Sequence, residues 1–278
     1  MNPHYSVSQM SMFWKCAMQW YLKKKVGPVA PSAFLIMGKG GHRAIEKNLT
    51  HKIETGVLLG ESDVADIARD AVNEEWANEP PQFSDEDKES AITSKGAAVD
   101  KAVNLSKVHH NIVAPEIRPI SDLTADGKFK GIERDWRLHT PLGVDLMGKI
   151  DICEDESAGW RIRDTKFTGK RPSDNQVHGS IQLTGYHLAL SVLDHHDCML
   201  QMDALVQTKT KRYFVPKPTI RNAFDHQDFL NRLAAMHDAQ EKGVFLPCQR
   251  DSWPCSEKFC GYFASICAYG RRGRERKG

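Results

Sequence analysis

Asp151 and Asp164 constrain this chain more than any other feature, because a turn lies midway between them. They sit in Gly148-Lys149-Ile150-Asp151 and Arg163-Asp164-Thr165-Lys166, each flanked by apolar residues in a strand-like pattern. Between them runs Glu154-Asp155-Glu156-Ser157-Ala158-Gly159, polar and ending in glycine, which predicts a hairpin turn. A hairpin centred between Ser157 and Ala158 brings the two aspartates opposite each other on adjacent strands, with Cβ atoms about 5 Å apart. Side chains alternate, so Lys166 shares the face of Asp164, and Lys149 falls on the active face by parity. Two carboxylates that close repel unless a cation sits between them. Hard carboxylate oxygens suit Mg²⁺ or Mn²⁺. A lysine beside them suits an anionic substrate such as a phosphodiester.

The rest of the chain narrows the field. Its 278 residues, 40% hydrophobic and 27% charged, fit a soluble globular protein of one large domain or two small ones. No apolar run of about 18 residues exists, so no spanning helix is expected. The start, Met1-Asn2-Pro3-His4-Tyr5-Ser6, lacks the basic and apolar regions of a signal peptide, and an intracellular location is the expectation. Seven cysteines in such a chain point to metal or redox use, or to burial, rather than to a disulfide framework. A net charge of +2 says little about partners. Three local patches could meet nucleic acid: Lys23-Lys24-Lys25, Lys209 to Arg212, and Arg271 to Lys277. No Gly-x4-Gly-Lys-[Ser/Thr] loop is present, which argues against an ATPase or helicase.

Patterning predicts a helix from Ser6 or Ser8 to about Lys24, ended by Gly27-Pro28, and a second over about 34–50. Two more, over 61–79 and 85–110, are broken by Glu79-Pro80-Pro81, and 55–111 reads as a helical insertion or cap. Strands follow at about 112–120, 129–139, 143–154 and 160–167, then a helix over 174–194. Strands at 199–208 and 212–216 and a helix over 225–242 complete the pattern, an α/β arrangement with a mixed sheet flanked by helices. Residues 245–270 are rich in cysteine and aromatics, and 271–278 form a basic tail. Gln182 and Tyr186 lie i, i+4 on one predicted helix face, with His178 one turn earlier, as a polar stripe that could line a substrate groove. Gly38 and His42 have the same spacing. The glycine would admit another backbone, and the histidine offers a further ligand.

Taken in order, Gly38-x3-His42, Gly148-x2-Asp151, Asp164-x-Lys166 and Gln182-x3-Tyr186 resemble the RecB-type branch of the PD-(D/E)xK nuclease superfamily. Glu133, in Gly131-Ile132-Glu133, matches an acidic residue often found on the preceding strand. The resemblance covers roughly 5–25, 34–46, 130–190 and 245–270, and leaves 55–111 uncovered. It implies a restriction-endonuclease-like fold in a single domain over 1–270. It implies that His42, Asp151, Asp164 and the backbone carbonyl of Thr165 ligate Mg²⁺ or Mn²⁺, and that Lys166 positions or activates the attacking water. Gln182 and Tyr186 would support the site and contact DNA.

Many RecB-type relatives, AddB and the CRISPR-associated RecB-like nucleases among them, carry a [4Fe–4S] cluster held by one cysteine before the nuclease motifs and three after. Cys16 and the run Cys255-x4-Cys260-x6-Cys267 resemble that pattern. Thiolates are the expected ligands of such clusters. Cys248 offers an alternative local set with Cys255, Cys260 and Cys267, and Zn²⁺ is the alternative occupant. Cys153 and Cys198 read as core residues.

The implied activity is metal-dependent hydrolysis of DNA phosphodiester bonds, most simply by an exonuclease. The DNA would be single-stranded or carry single-stranded ends. Helicase, recombination or CRISPR proteins are the expected partners, in repair, phage DNA metabolism or CRISPR adaptation. Two other readings compete. A non-catalytic DNA-binding or recombination-accessory module would use the same fold without a competent acid pair. A metal hydrolase of small phosphates would not need the basic patches.

Overall fold

A six-stranded mixed sheet organises the molecule, with helices on both faces. The structure, a computed structural model, describes residues 3–83, 87, 91–156, 159–194, 197–257, 259–263 and 265–269. The predicted turn centre (157–158), most of 84–90 and the basic tail lie outside the described residues.

The strands are β1 (His4–Ser6), β2 (Ile132–His139), β3 (Asp145–Glu156), β4 (Gly159–Thr168), β5 (Cys198–Gln207) and β6 (Arg212–Thr219). Their order is β1-β3-β4-β5-β6, and β2 pairs with the other edge of β3. β1–β3 and β4–β5 are parallel; β2–β3, β3–β4 and β5–β6 are antiparallel. The helices are α1 (Val7–Lys15), α2 (Ala17–Val26), α3 (Ala33–Thr55), α4 (Glu61–Asn78), α5 (Lys95–Val108), α6 (Asp174–His178), α7 (Ile181–Leu193) and α8 (Ala223–Glu241).

One core unites α1, α7 and α8 with one face of the sheet, through Met10, Phe13, Trp136, Ile150, Ile162, Leu183, Tyr186 and Phe229. A second joins α3, α4 and α5 to the other face, through Ile36, Leu49, Val72, Leu105, Ile152 and Phe167. Truncating a buried ring such as Phe167 costs about 3–5 kcal/mol. Residues 61–108 therefore supply much of one flanking layer. α3 forms because Ile36, Met37, Ala44, Ile45 and Leu49 recur on one face, Ser32 caps its first turn, and Gly56 ends it at φ 82°.

Three expectations are corrected, and one strand is unexpected. The first helix is two: Cys16 adopts an extended backbone, and α2 swings away so that Tyr21 stacks on Phe245, centroids 4.5 Å apart. No strand forms over 112–120. A π-helical turn, His109–Val113, extends α5, and the segment then makes one bridge, Pro119 to Glu154. Pro115 and Pro119 have no N–H to donate. Lys52 Nζ meanwhile donates to the carbonyls of Ala114, Pro115 and Ile117 at 2.7, 2.9 and 2.7 Å. The helix over 174–194 breaks at Gly179, with Ser173 and Ser180 each capping a new start. The three-residue β1 is too short to leave a periodic signal.

Candidate active site

The β3–β4 hairpin has the register that its turn predicts: Glu156 faces Gly159 and Ile152 faces Arg163. There the ladder stops. One step further, Asp151 and Asp164 stand across the opening, and the Thr165 N–H donates to Asp151 Oδ2 at 2.8 Å instead of to a strand carbonyl. A side-chain carboxylate thus fills a backbone position. On the other edge of β3, Ile132 faces Ile152 and Arg134 faces Ile150, which sets Glu133 opposite Asp151. Glu133 is left-handed, with φ 45°, a conformation that costs a non-glycine residue about 1–2 kcal/mol. Both strands turn over at this level. Ile132 and Ile152 pack with the α3–α5 layer, whereas Trp136 and Ile150 pack with α7. The result is a row of three acids, Glu133, Asp151 and Asp164, across three adjacent strands.

α3 adds His42, whose Nδ1 lies 3.7 Å from Asp151 Oδ2. Ligand atoms of His42, Glu133 and Asp151 all fall within 4.8 Å of one another. The helix approaches this closely because Gly41 has no side chain: a Cβ there would lie 2.1 Å from the Phe167 ring. The expected close approach at Gly38 is corrected, since no atom lies within 4 Å of where its Cβ would stand.

Lys166 Nζ donates to Asp164 Oδ1 at 2.8 Å and to Gln182 Oε1 at 3.0 Å, and Gln182 Nε2 donates to Tyr186 Oη at 2.6 Å. A relay from α7 therefore fixes the ammonium. Asp164 is fully buried, and its Oδ2 has no hydrogen-bond partner among the described residues. Burial pushes its carboxyl up to about 6; Lys166 opposes that rise, and Asp151 adds to it. Burial, then Asp151, pushes Glu133 up to about 7 against the pull of Lys149, whose Nζ is 3.6 Å from Glu133 Oε2. Burial works against the charge of Lys166, but Asp164 and Asp151 outweigh it and hold its pKa above the usual lysine value. Burial, reinforced by Asp164 and Asp151, raises Tyr186 and keeps its phenol neutral. An orphaned buried oxygen on one raised acid, with a second raised acid in the same row, is a charge arrangement that a divalent cation would complete.

The family model of the PD-(D/E)XK nuclease superfamily matches residues 4–269. The chain belongs to that superfamily. Among solved structures, a Eubacterium rectale protein named "Putative exonuclease" aligns over 91% of this chain and 86% of its own, at 10% identity and a TM-score of 0.52, which shows the shared fold. A looser likeness is to SSO0001, with a TM-score of 0.37 and 11% identity over 91% of this chain and 95% of that one. No curated protein matches in sequence.

In this nuclease the sequence-derived residues His42, Asp151, Asp164, Lys166, Gln182 and Tyr186 converge on one locus. His178 does not join them. It sits on α6, with Nδ1 2.9 Å from Thr219 Oγ1, because the break at Gly179 takes it off the face of α7. Glu133, left out of the expected ligand set, falls within the His42–Asp151 trio, whereas Asp164 does not. The signal was present: the midpoint of Glu133 and Asp151 falls on Leu142, inside the turn Thr140-Pro141-Leu142-Gly143.

Five cysteines form a second neighbourhood. The Cys248 N–H donates to Cys16 Sγ at 3.4 Å, and the Cys248 thiol is close enough to Cys16 and Cys255 to influence both. Cys260 and Cys267 lie close enough to repel charge on Cys255, and Cys260 feels Cys16. Burial raises the Cys16, Cys255 and Cys260 thiols above their usual value. Cys153 and Cys198 are elsewhere, buried in the sheet and pushed up to about 12 by that burial.

Proposed function

We propose that this nuclease hydrolyses DNA phosphodiester bonds from strand ends, with Mg²⁺ or Mn²⁺ held by His42, Asp151, Asp164 and the Thr165 carbonyl, and with Glu133 as a further ligand. The supporting observation is the division of labour on Asp164: Oδ1 is held by Lys166, and the buried Oδ2 has no partner among the described residues. A bound divalent ion supplies a water of lowered pKa and a Lewis acid for the scissile phosphate. The chain's own residues do the rest. Lys166 brings a fixed positive charge to where negative charge develops. Gln182 and Tyr186 hold that ammonium in place, and Lys149 offsets the charge of Glu133. Gly38, one turn from His42, has no atom within 4 Å of where its Cβ would stand, so the helix surface beside the site is open there.

The proposal extends to the RecB-type branch. Cys16, Cys255, Cys260 and Cys267 would hold a [4Fe–4S] cluster, with Cys248 beside it and Zn²⁺ as the alternative occupant. Thiolates in one neighbourhood, four of them from one short segment, fit that donor chemistry. A role beside a helicase or recombination machinery follows from the same resemblance. The test is digestion of end-labelled linear and of circular DNA, single- and double-stranded, with Mg²⁺, Mn²⁺ or EDTA. Metal-dependent loss of linear DNA with circles spared is the expected result. No cleavage by wild type under any metal condition would overturn the assignment, and nicked circles would make the enzyme an endonuclease.

A further inference from the structure

A cavity of about 870 Å³ opens past the end of β4, between α5 and the turn joining β5 to β6. Gly169 is part of its lining, three residues beyond Lys166, or about 10 Å along an extended strand. Lys101, Lys209 and Arg212 also line it, and among the described lining residues Asp100 is the single acid. Lys209 and Arg212 are exposed, and among the described residues neither forms an ion pair or a side-chain hydrogen bond. Two exposed cations on one rim, with no ion pair among the described residues, are the electrostatic footprint of a polyanion site. The wall between them is polar: Gln207 Oε1 is buried and has no hydrogen-bond partner among the described residues. An amide can present either its oxygen or its NH₂, so Gln207 can accept from a base edge or donate to a phosphate. Lys101 stands on the α5 side of the cavity and is only 5% exposed.

We propose that this cavity is a binding groove for single-stranded DNA, which holds the sugar–phosphate backbone of the strand running on from the scissile bond. The inference rests on the nuclease reading and adds where the substrate lies. Its size is that of a ligand pocket, enough for a short length of single strand and too small for a duplex. The β5–β6 turn supplies Lys209 and Arg212 as phosphate contacts, and α5 closes the opposite side with Lys101. Residues 95–108, remote in sequence from every catalytic motif, thereby gain a role in holding substrate.

The experiment is binding of a fluorescein-labelled single-stranded oligonucleotide in EDTA, read by anisotropy from low to moderate salt. The variant is Lys209→Glu/Arg212→Glu. Arg69→Glu/Lys242→Glu is the control, an equal charge change on exposed residues of α4 and of the C-terminal end of α8, outside every basic patch. Removing two phosphate contacts should reduce the salt slope by about 1.4, at roughly 0.7 per contact for single strands, and weaken binding at least about tenfold at 100 mM salt. Circular dichroism and the unfolding midpoint should match wild type. Gln207→Leu should weaken binding severalfold without changing the slope. The groove is refuted if the control loses as much affinity as the variant, if the variant binds like wild type, or if wild type does not bind single strands. Because binding is read without metal, the two readings fail separately. A protein that binds through Lys209 and Arg212 but never cleaves refutes the nuclease reading alone. One that cleaves yet ignores the charge reversal refutes the groove alone.

Discussion

The acid site and the cysteine neighbourhood are assembled in opposite ways. Glu133, Asp151 and Asp164 ride on three paired strands, and His42 on a 23-residue helix packed against them. Backbone ladders and a buried core set their positions. The cysteines have little ladder behind them: Cys16 sits at a helix break, and the C-terminal segment has one bridge, Phe263 to Cys267, among its described residues. That segment is tied down from outside. Met18 N–H donates to Leu246 O at 3.2 Å, Tyr262 Oη donates to Gly27 O at 2.7 Å, and Tyr21 stacks on Phe245. A ladder can hold mutually repelling acids in place before any ion arrives. A loop segment gains its geometry from what links it. Substitutions at the first region should therefore change chemistry and spare the fold, and substitutions at the second should do the reverse.

Asp164→Asn presses hardest on that contrast. The amide keeps an oxygen for Lys166 but loses the ligand charge, so cleavage should fall at least about 10³-fold. Stability should change by about 1–3 kcal/mol, the cost of weakening one buried charge-assisted hydrogen bond whose acceptor oxygen Asn retains. Parallel rate and thermal-unfolding measurements decide; retained cleavage, or a collapsed fold, breaks the comparison. Cys16→Ser comes next. Iron content should fall, and limited proteolysis should cut the chain after Phe245 while leaving the sheet intact. Cys248→Ser should keep its iron, and the reverse pattern would move the ligand role to Cys248.

The same features explain what was legible in the sequence. Both hairpins could be read because their turns are marked by glycine and polar residues, and a turn fixes which residues face each other. Midpoint arithmetic placed Asp151 against Asp164, and the same arithmetic on the preceding hairpin would have promoted Glu133. Strand parity could not show that β2 and β3 turn over at that level, since the left-handed Glu133 leaves no mark in composition. The break at Cys16 was hidden because residues 7–26 contain no proline or glycine. What bends the chain there is packing on Phe245, more than two hundred residues away. The failed strand at 112–120 has a similar cause in the reach of Lys52.

Acidity gives a milder test. Asp164 rises from 3.8 to about 6 in the fold, and Glu133 from 4.5 to about 7. A raised acid binds its proton more tightly folded than unfolded, so its stabilisation is complete below the unfolded value and is lost as pH climbs through the folded one. Metal-free protein should lose stability between about pH 4 and pH 7. Mg²⁺ binds the charged carboxylates, so it should raise the unfolding midpoint more at pH 7.5 than at pH 5. Scans with and without Mg²⁺ at both values check the sign. An equal midpoint shift at both pH values would detach the two acids from the metal. The cysteine end should show no such Mg²⁺ response.

Gln182→Ala should have the smallest effect on rate, and it probes whether the acid site is positioned as rigidly as its ladders imply. The amide joins Lys166 to Tyr186 and touches no acid. Its loss should free the ammonium to sample other orientations and slow cleavage about tenfold, the lower end of the range for groups that orient a site through another residue. It also leaves the Tyr186 hydroxyl, on a residue only 3% exposed, without its partner, at about 1–3 kcal/mol. The two consequences separate in a double-mutant cycle. Tyr186→Phe added to Gln182→Ala removes the stranded hydroxyl and should restore stability, while the rate stays low because Lys166 is still unheld. If rate and stability recover together, Gln182 acts only as packing, and the strands alone suffice to aim the lysine.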